Sequence, residues 1–146
     1  MYPNVHGVVG AIVTISTYAV TKDTTITYIV GGLLAFASHD VMDRLGEKKY
    51  PSTKFLLLFE GSLFAIFCYL AYKSNLTILY VIGWICGNAI DFIDKKMGLS
   101  IINPTKYPSF NWFKCHKREP NLDFNLSQTI LISILATLIL FFLSIK

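Results

Sequence analysis

The sequence predicts an all-α protein, a multi-pass transmembrane helical bundle of about five helices. Three observations carry that expectation. Apolar residues make up 53% of the 146 positions and charged residues only 15%, against roughly 25% charged in an ordinary soluble domain, and mean hydropathy is +0.52. The apolar residues fall in five runs, at 7–20, 26–38, 55–72, 76–90 and 126–145. Two of those runs resemble each other and end in the same charged pattern. The length suits one membrane domain, 1–146. It divides into a first helical hairpin (1–46), a second (55–96), a basic and aromatic loop (97–125) and a C-terminal transmembrane helix (126–145).

Residues 7–20 form a short apolar helix with His6 at its start. Lys22, Asp23, Thr24 and Thr25 make a polar turn. The second run, 26–38, flows into His39, Asp40 and Asp43. On a helix His39 and Asp43 share a face, as do Asp40 and Asp43. Residues 44–54 are basic and broken by Pro51, and the third run, 55–72, is interrupted by Glu60. After Lys73, Ser74 and Asn75, the fourth run leads into Asp91 and Asp94. The last run is uncharged and has the roughly 20 residues a bilayer requires. β-Strands compete for β-branched stretches such as 26–30, but alternation is absent and lipid admits only helices or closed barrels. The first two runs are also compatible with a partly submerged hairpin.

Gly32 to Arg44 aligns without gaps on Gly83 to Lys95, pairing Asp40 with Asp91 and Asp43 with Asp94. Upstream, His6-Gly7 falls on Glu60-Gly61 after a slip of three residues. Each half reads as a helix opening on a potential ligand, a turn, and a helix closing in Asp-x-x-Asp. Loop 44–54 holds Arg44, Lys48, Lys49 and Lys54, and the stretch 95–125 holds six further cations. The positive-inside rule puts both on the cytoplasmic side, with the N-terminus inside. His6, His39, Asp40, Asp43, Asp91 and Asp94 then meet at the cytoplasmic face, with Glu60 one to two turns deeper and His116 in the loop. The net charge of +4 thus speaks to orientation. The aromatic and basic residues of the long loop suit headgroups, so no nucleic-acid partner is expected. The first residues lack the basic region of a cleavable signal peptide. Cys68 and Cys86 lie within apolar runs, where packing is the ordinary role.

Clustered carboxylates repel one another and need a cation or protons to share a small volume. His6, His39, Asp40, Asp43, Asp91 and Asp94 form a ligand set suited to zinc or manganese, and are numerous enough for two ions. Glu60 and His116 are the candidate catalytic acid–base groups. Arg44, Lys95 and Lys96 are candidate phosphate-binding cations, although the positive-inside signal alone explains them equally well. Ser38 and Asn88 are candidate supporting hydrogen-bonders.

Ser38-His39-Asp40-Val41-Met42-Asp43 resembles the Ser-His-x-x-x-Asp motif of the membrane-bound metal-dependent hydrolases, the group that includes the LexA-binding inner-membrane proteins. The early His6 before Gly7-Val8-Val9-Gly10 is similar too, and Asp91-Phe92-Ile93-Asp94 loosely echoes the family's Asp-x-Asp-His element. Its His-Arg-Gly-x-Thr-His motif has no counterpart in this sequence. The resemblance covers residues 6–94 and implies a multi-pass protein with a metal-dependent hydrolytic site through His6, His39 and Asp43. The order His6, His39-Asp40, then Asp91 or Asp94 also resembles HD-domain phosphohydrolases, which are all-helical and metal-dependent.

The expected function is metal-dependent hydrolysis of a phosphate ester or lipid-linked substrate at the cytoplasmic membrane face. The bilayer is the expected partner, and a homo-oligomer is compatible with the sequence. The alternatives are a divalent-metal or ion transporter using the same cluster, and a membrane-anchored structural or regulatory protein whose acids pair with Arg44, Lys95 and Lys96.

Overall fold

A computed structural model describes residues 3–43, 53–94, 105–106 and 126–144. They form five helices and, among the described residues, no strand: α1 (Pro3–Thr21), α2 (Thr24–Asp43), α3 (Thr53–Lys73), α4 (Thr77–Asp94) and α5 (Leu126–Ser144). The β-branched stretch that could have been a strand is instead a π-helical turn within α2, Thr27–Gly31.

The polar turns have specific chemistry. Lys22 takes a left-handed conformation (φ 54°), and its N–H donates to the Tyr18 carbonyl at 2.8 Å to close α1. Asp23 then caps α2 by accepting from the Ile26 N–H at 2.9 Å. That cap starts the helix at Thr24, two residues before the apolar run begins. Between α3 and α4, the Ser74 hydroxyl accepts from the Leu76 N–H at 3.0 Å, and the Thr77 hydroxyl donates to the Ala71 carbonyl at 2.7 Å.

Among the described residues, three stretches are long and apolar enough to cross a membrane: Thr24–Asp43, Thr77–Asp94 and Leu126–Ser144; Val5–Thr21 is apolar but shorter. The outward faces are correspondingly greasy. Leu33 and Leu34 on α2, Leu57 and Leu58 on α3, Ile78 on α4 and Phe142 on α5 all stand exposed. Exposed apolar side chains grouped in this way mark a surface that meets a membrane or another protein.

The tightest packing joins α1, α2 and α4, and glycine permits it. A Cβ on Gly10 would strike the Gly83 carbonyl, one on Gly83 would lie 2.6 Å from the Ala11 Cα, and one on Gly87 would strike the His6 carbonyl. Gly83-x-x-x-Gly87 thus supplies the small-residue face that lets two apolar helices approach backbone to backbone. α2 docks on the same side of α1, where Gly31 meets the Thr14 backbone and the Thr14 hydroxyl donates to the Gly10 carbonyl at 3.0 Å.

α5 is less uniform than its sequence suggests. Thr129, Ser133 and Thr137 face inward and are buried. Ser133 and Thr137 each donate to the carbonyl four residues back, at 2.9 Å, so these hydroxyls are satisfied within the helix. Val8, Ile15, Phe67, Tyr80, Ala136 and Leu140 form the main apolar core, and the Tyr80 hydroxyl bonds the Ser144 hydroxyl.

Candidate metal centre

His6 opens α1, His39 and Asp43 close α2, and Asp91 lies in the last turn of α4. Antiparallel packing through the glycine seam brings all four to one end of the bundle. Both histidines are buried, His6 at 0% and His39 at 1% exposure. Their rings stack, with centroids 4.0 Å apart and planes inclined by 16°.

Both Nε2 atoms face carboxylate. His6 Nε2 is 3.3 Å from Asp43 Oδ1, and His39 Nε2 is 3.1 Å from Asp43 Oδ2. Asp91 Oδ2 stands farther back, 3.8 Å from His6 Nε2 and 4.0 Å from His39 Nε2. A tetrahedral ion with ligands at roughly 2.0–2.2 Å has ligand atoms about 3.3–3.6 Å apart, and the four distances bracket that edge. His6, His39 and Asp43 form a group that can hold a metal ion, and Asp91 is a further carboxylate within 4.0 Å of both ring nitrogens.

The other side of His39 fixes the orientation of its ring. Its Nδ1 lies 2.9 Å from the Gly87 carbonyl oxygen. A carbonyl only accepts, so Nδ1 carries the proton. Nε2 is thereby aimed at the Asp43 carboxylate, a contact that either a proton on Nε2 or a cation between the two groups satisfies. The same arrangement, a backbone carbonyl holding one ring nitrogen while the other faces outward, orients histidines bound to metal.

The other expected site residues fall in different places. Asp40 is half-buried one residue after His39, Glu60 is half-buried on α3, and Asp94 is wholly buried beyond Asp91. None of them belongs to the metal-capable group among the described residues. Ser38 donates to the Ala35 carbonyl of its own helix at 2.7 Å. Asn88 donates to the Trp84 carbonyl at 2.9 Å. The hydrogen bond that orients His39 instead comes from the Gly87 backbone, which sequence reasoning missed. The Gly83-x-x-x-Gly87 spacing was the available signal, because it marks where the α4 backbone can touch a neighbour. Arg44, Lys95, Lys96 and His116 lie outside the described residues.

No protein-family model matches the chain, and neither a curated protein nor a solved structure does.

Proposed function

We propose that this chain is a membrane-embedded, metal-dependent hydrolase that cleaves a phosphate ester at the membrane surface. The observation that carries the reading is the two-sided constraint on His39. Its Nδ1 proton is committed to the Gly87 carbonyl, while its Nε2 faces Asp43 at 3.1 Å beside a second, stacked histidine. A divalent cation bound between these groups would take the Nε2 lone pairs of both histidines and the Asp43 carboxylate as ligands.

In this reading His6, His39 and Asp43 hold the ion, with zinc or manganese suited to the mixed nitrogen and oxygen donors. An ion held there would supply Lewis acidity and make water more acidic. Asp91, 3.8 Å from His6 Nε2 and 4.0 Å from His39 Nε2, is the proposed acceptor of the attacking water's proton. Water oxygen would bond to phosphorus as the phosphorus–oxygen bond to the alcohol breaks, and the departing alkoxide would take the proton that Asp91 accepted from the water. The three long apolar helices support membrane insertion. The cations of 44–54 and 95–118 favour a cytoplasmic site under the positive-inside rule.

The test is turnover of a soluble aryl phosphate by purified protein, zinc-loaded and after chelation. Zinc-dependent phosphate release that disappears in Asp91→Asn, with metal still bound, supports the reading. Full metal occupancy with no turnover of any phosphate ester sinks it, and metal flux into proteoliposomes would then favour a transporter.

A further inference from the structure

α2 makes two sets of contacts with its neighbours that a straight α-helix would not place on one face. Its first turn is tied to the end of α1. The Thr27 N–H and hydroxyl both donate to the Asp23 carbonyl, at 3.0 and 2.6 Å, and the Thr21 hydroxyl lies 3.0 Å from that of Thr27. Its last turns carry His39 and Asp43 to the metal centre, with His39 Nδ1 2.9 Å from the Gly87 carbonyl oxygen. Thr27, Gly31, Ala35 and His39 recur every four residues, and all four are buried.

Sixteen residue steps separate Thr27 from Asp43. At about 100° per step a straight α-helix would leave the two about 160° apart, and would leave His39 about 120° from Thr27. The chain avoids this with the π-helical turn Thr27–Gly31. A π-turn takes one more residue into its ring than an α-turn. That removes about 100° of rotation, leaving Asp43 about 60° and His39 about 20° from Thr27. The packing agrees. A Cβ on Gly31 would lie 3.3 Å from both the Thr14 Cα and the Thr27 Cγ2, so Thr27, Gly31 and Thr14 meet at one point of the α1–α2 contact. Tyr28, Ile29 and Val30, inside the turn, all stand exposed, Ile29 at 61%.

We propose that the π-helical turn Thr27–Gly31 is a one-residue insert in α2 that positions His39 and Asp43 at the metal centre. It acts by rotation, from the opposite end of α2. With Thr27 held by Asp23 and Thr21, only a helix that takes up this residue turns both ligands toward α1. The proposal rests on the metal-binding reading above for its zinc measurement alone. Deleting Ile29 leaves Thr27 and Gly31 three residues apart, an ordinary α spacing on one face, so the turn closes with the ligands still in place. Ala37 is also exposed, and lies between Ala35 and His39. Deleting it rotates His39 and Asp43 by about 100° against the rest of α2.

The experiment compares the two deletions in full-length protein in phosphatidylcholine nanodiscs. Two crosslinks report register without metal, each in a chain whose other cysteines are serine. The first joins Gly32→Cys to Cys86, since a Cβ on Gly32 lies 3.5 Å from the Cys86 Sγ. The second joins Val5→Cys to Met42→Cys, which pack together at the ligand end, through a short bifunctional thiol reagent. Zinc affinity is measured by chelator competition in chains with their native cysteines. Deleting Ile29 should keep both crosslinks and hold zinc affinity within about threefold of wild type. Deleting Ala37 should keep the first crosslink, abolish the second and weaken zinc binding about 100-fold or more. The proposal is overturned by loss of the first crosslink in either deletion, by loss of the second or of zinc on deleting Ile29, or by retention of the second or of zinc on deleting Ala37. A wild-type chain that forms both crosslinks and binds no zinc removes the metal reading, and the crosslinks alone then decide the role of the turn.

Discussion

α2 and α4 both end in Asp-x-x-Asp, yet they present different members of the pair to the histidines. α2 offers its second aspartate, Asp43, and α4 offers its first, Asp91. The difference follows from which face each helix packs. Gly31, Ala35, His39 and Asp43 recur every four residues on α2, and Gly83, Gly87 and Asp91 do so on α4. α1 has the matching line His6, Gly10, Thr14. In each helix, small or hydroxyl-bearing residues make the close contact, and the candidate ligand lies farther along the same line. The ungapped repeat pairs Asp40 with Asp91. Superposing the packing faces instead pairs Gly31 with Gly83 and His39 with Asp91, one residue out of step. One residue is about 100° of helix rotation, enough to move a carboxylate from the site to the flank. Sequence equivalence and spatial equivalence therefore part company here.

The largest test of this contrast substitutes ligands against their neighbours. His39→Ala should weaken zinc binding by at least about 100-fold, since even supporting residues of metal sites are worth roughly 10–100-fold. Asp43→Asn should lose on the order of tenfold or more, and Asp40→Asn less than about threefold. Chelator competition measures all three, and equal losses for Asp40→Asn and Asp43→Asn would break the face assignment.

A second test addresses the seam. Gly87→Ala puts a methyl group against the His6 carbonyl and should cost about 1–3 kcal/mol, with weaker metal binding because His6 moves. Gly61 on α3 has open space where a Cβ would go. Gly61→Ala should leave stability unchanged or raise it by up to about 1 kcal/mol. Thermal unfolding in detergent separates the two, and matching shifts would show that the seam does not position the site.

The smallest effect is graded with pH. Metal must displace protons from its ligands, so affinity falls as the solution is acidified. Zinc affinity should therefore fall steadily as the pH is lowered and protons compete for the donor atoms. A flat profile would point to a site without histidine ligands.

Much of the fold was legible because apolar run length and polar punctuation are local signals. The five helices follow the five runs, with ends extended where a cap such as Asp23 or the Lys22 turn sets the boundary. The convergence of His6, His39, Asp43 and Asp91 was also legible, since alternating helix direction brings those ends together. The rotation of each helix was harder to read. Charged patterns drew attention to Asp40 and Asp94, whereas rotation is decided by where backbones can touch, through Gly10, Gly83 and Gly87. The orienting role of Gly87 is invisible to side-chain reasoning because the group that acts is a carbonyl oxygen. The inward hydroxyls of α5 were hidden by its lack of charge.

The most direct test of the account is elemental analysis of protein purified without added chelator, beside His39→Ala. The account predicts about one zinc or manganese ion per wild-type chain and almost none in a folded His39→Ala variant. A wild-type protein that binds no divalent metal even when supplied with it, or a variant that keeps full occupancy, would contradict it.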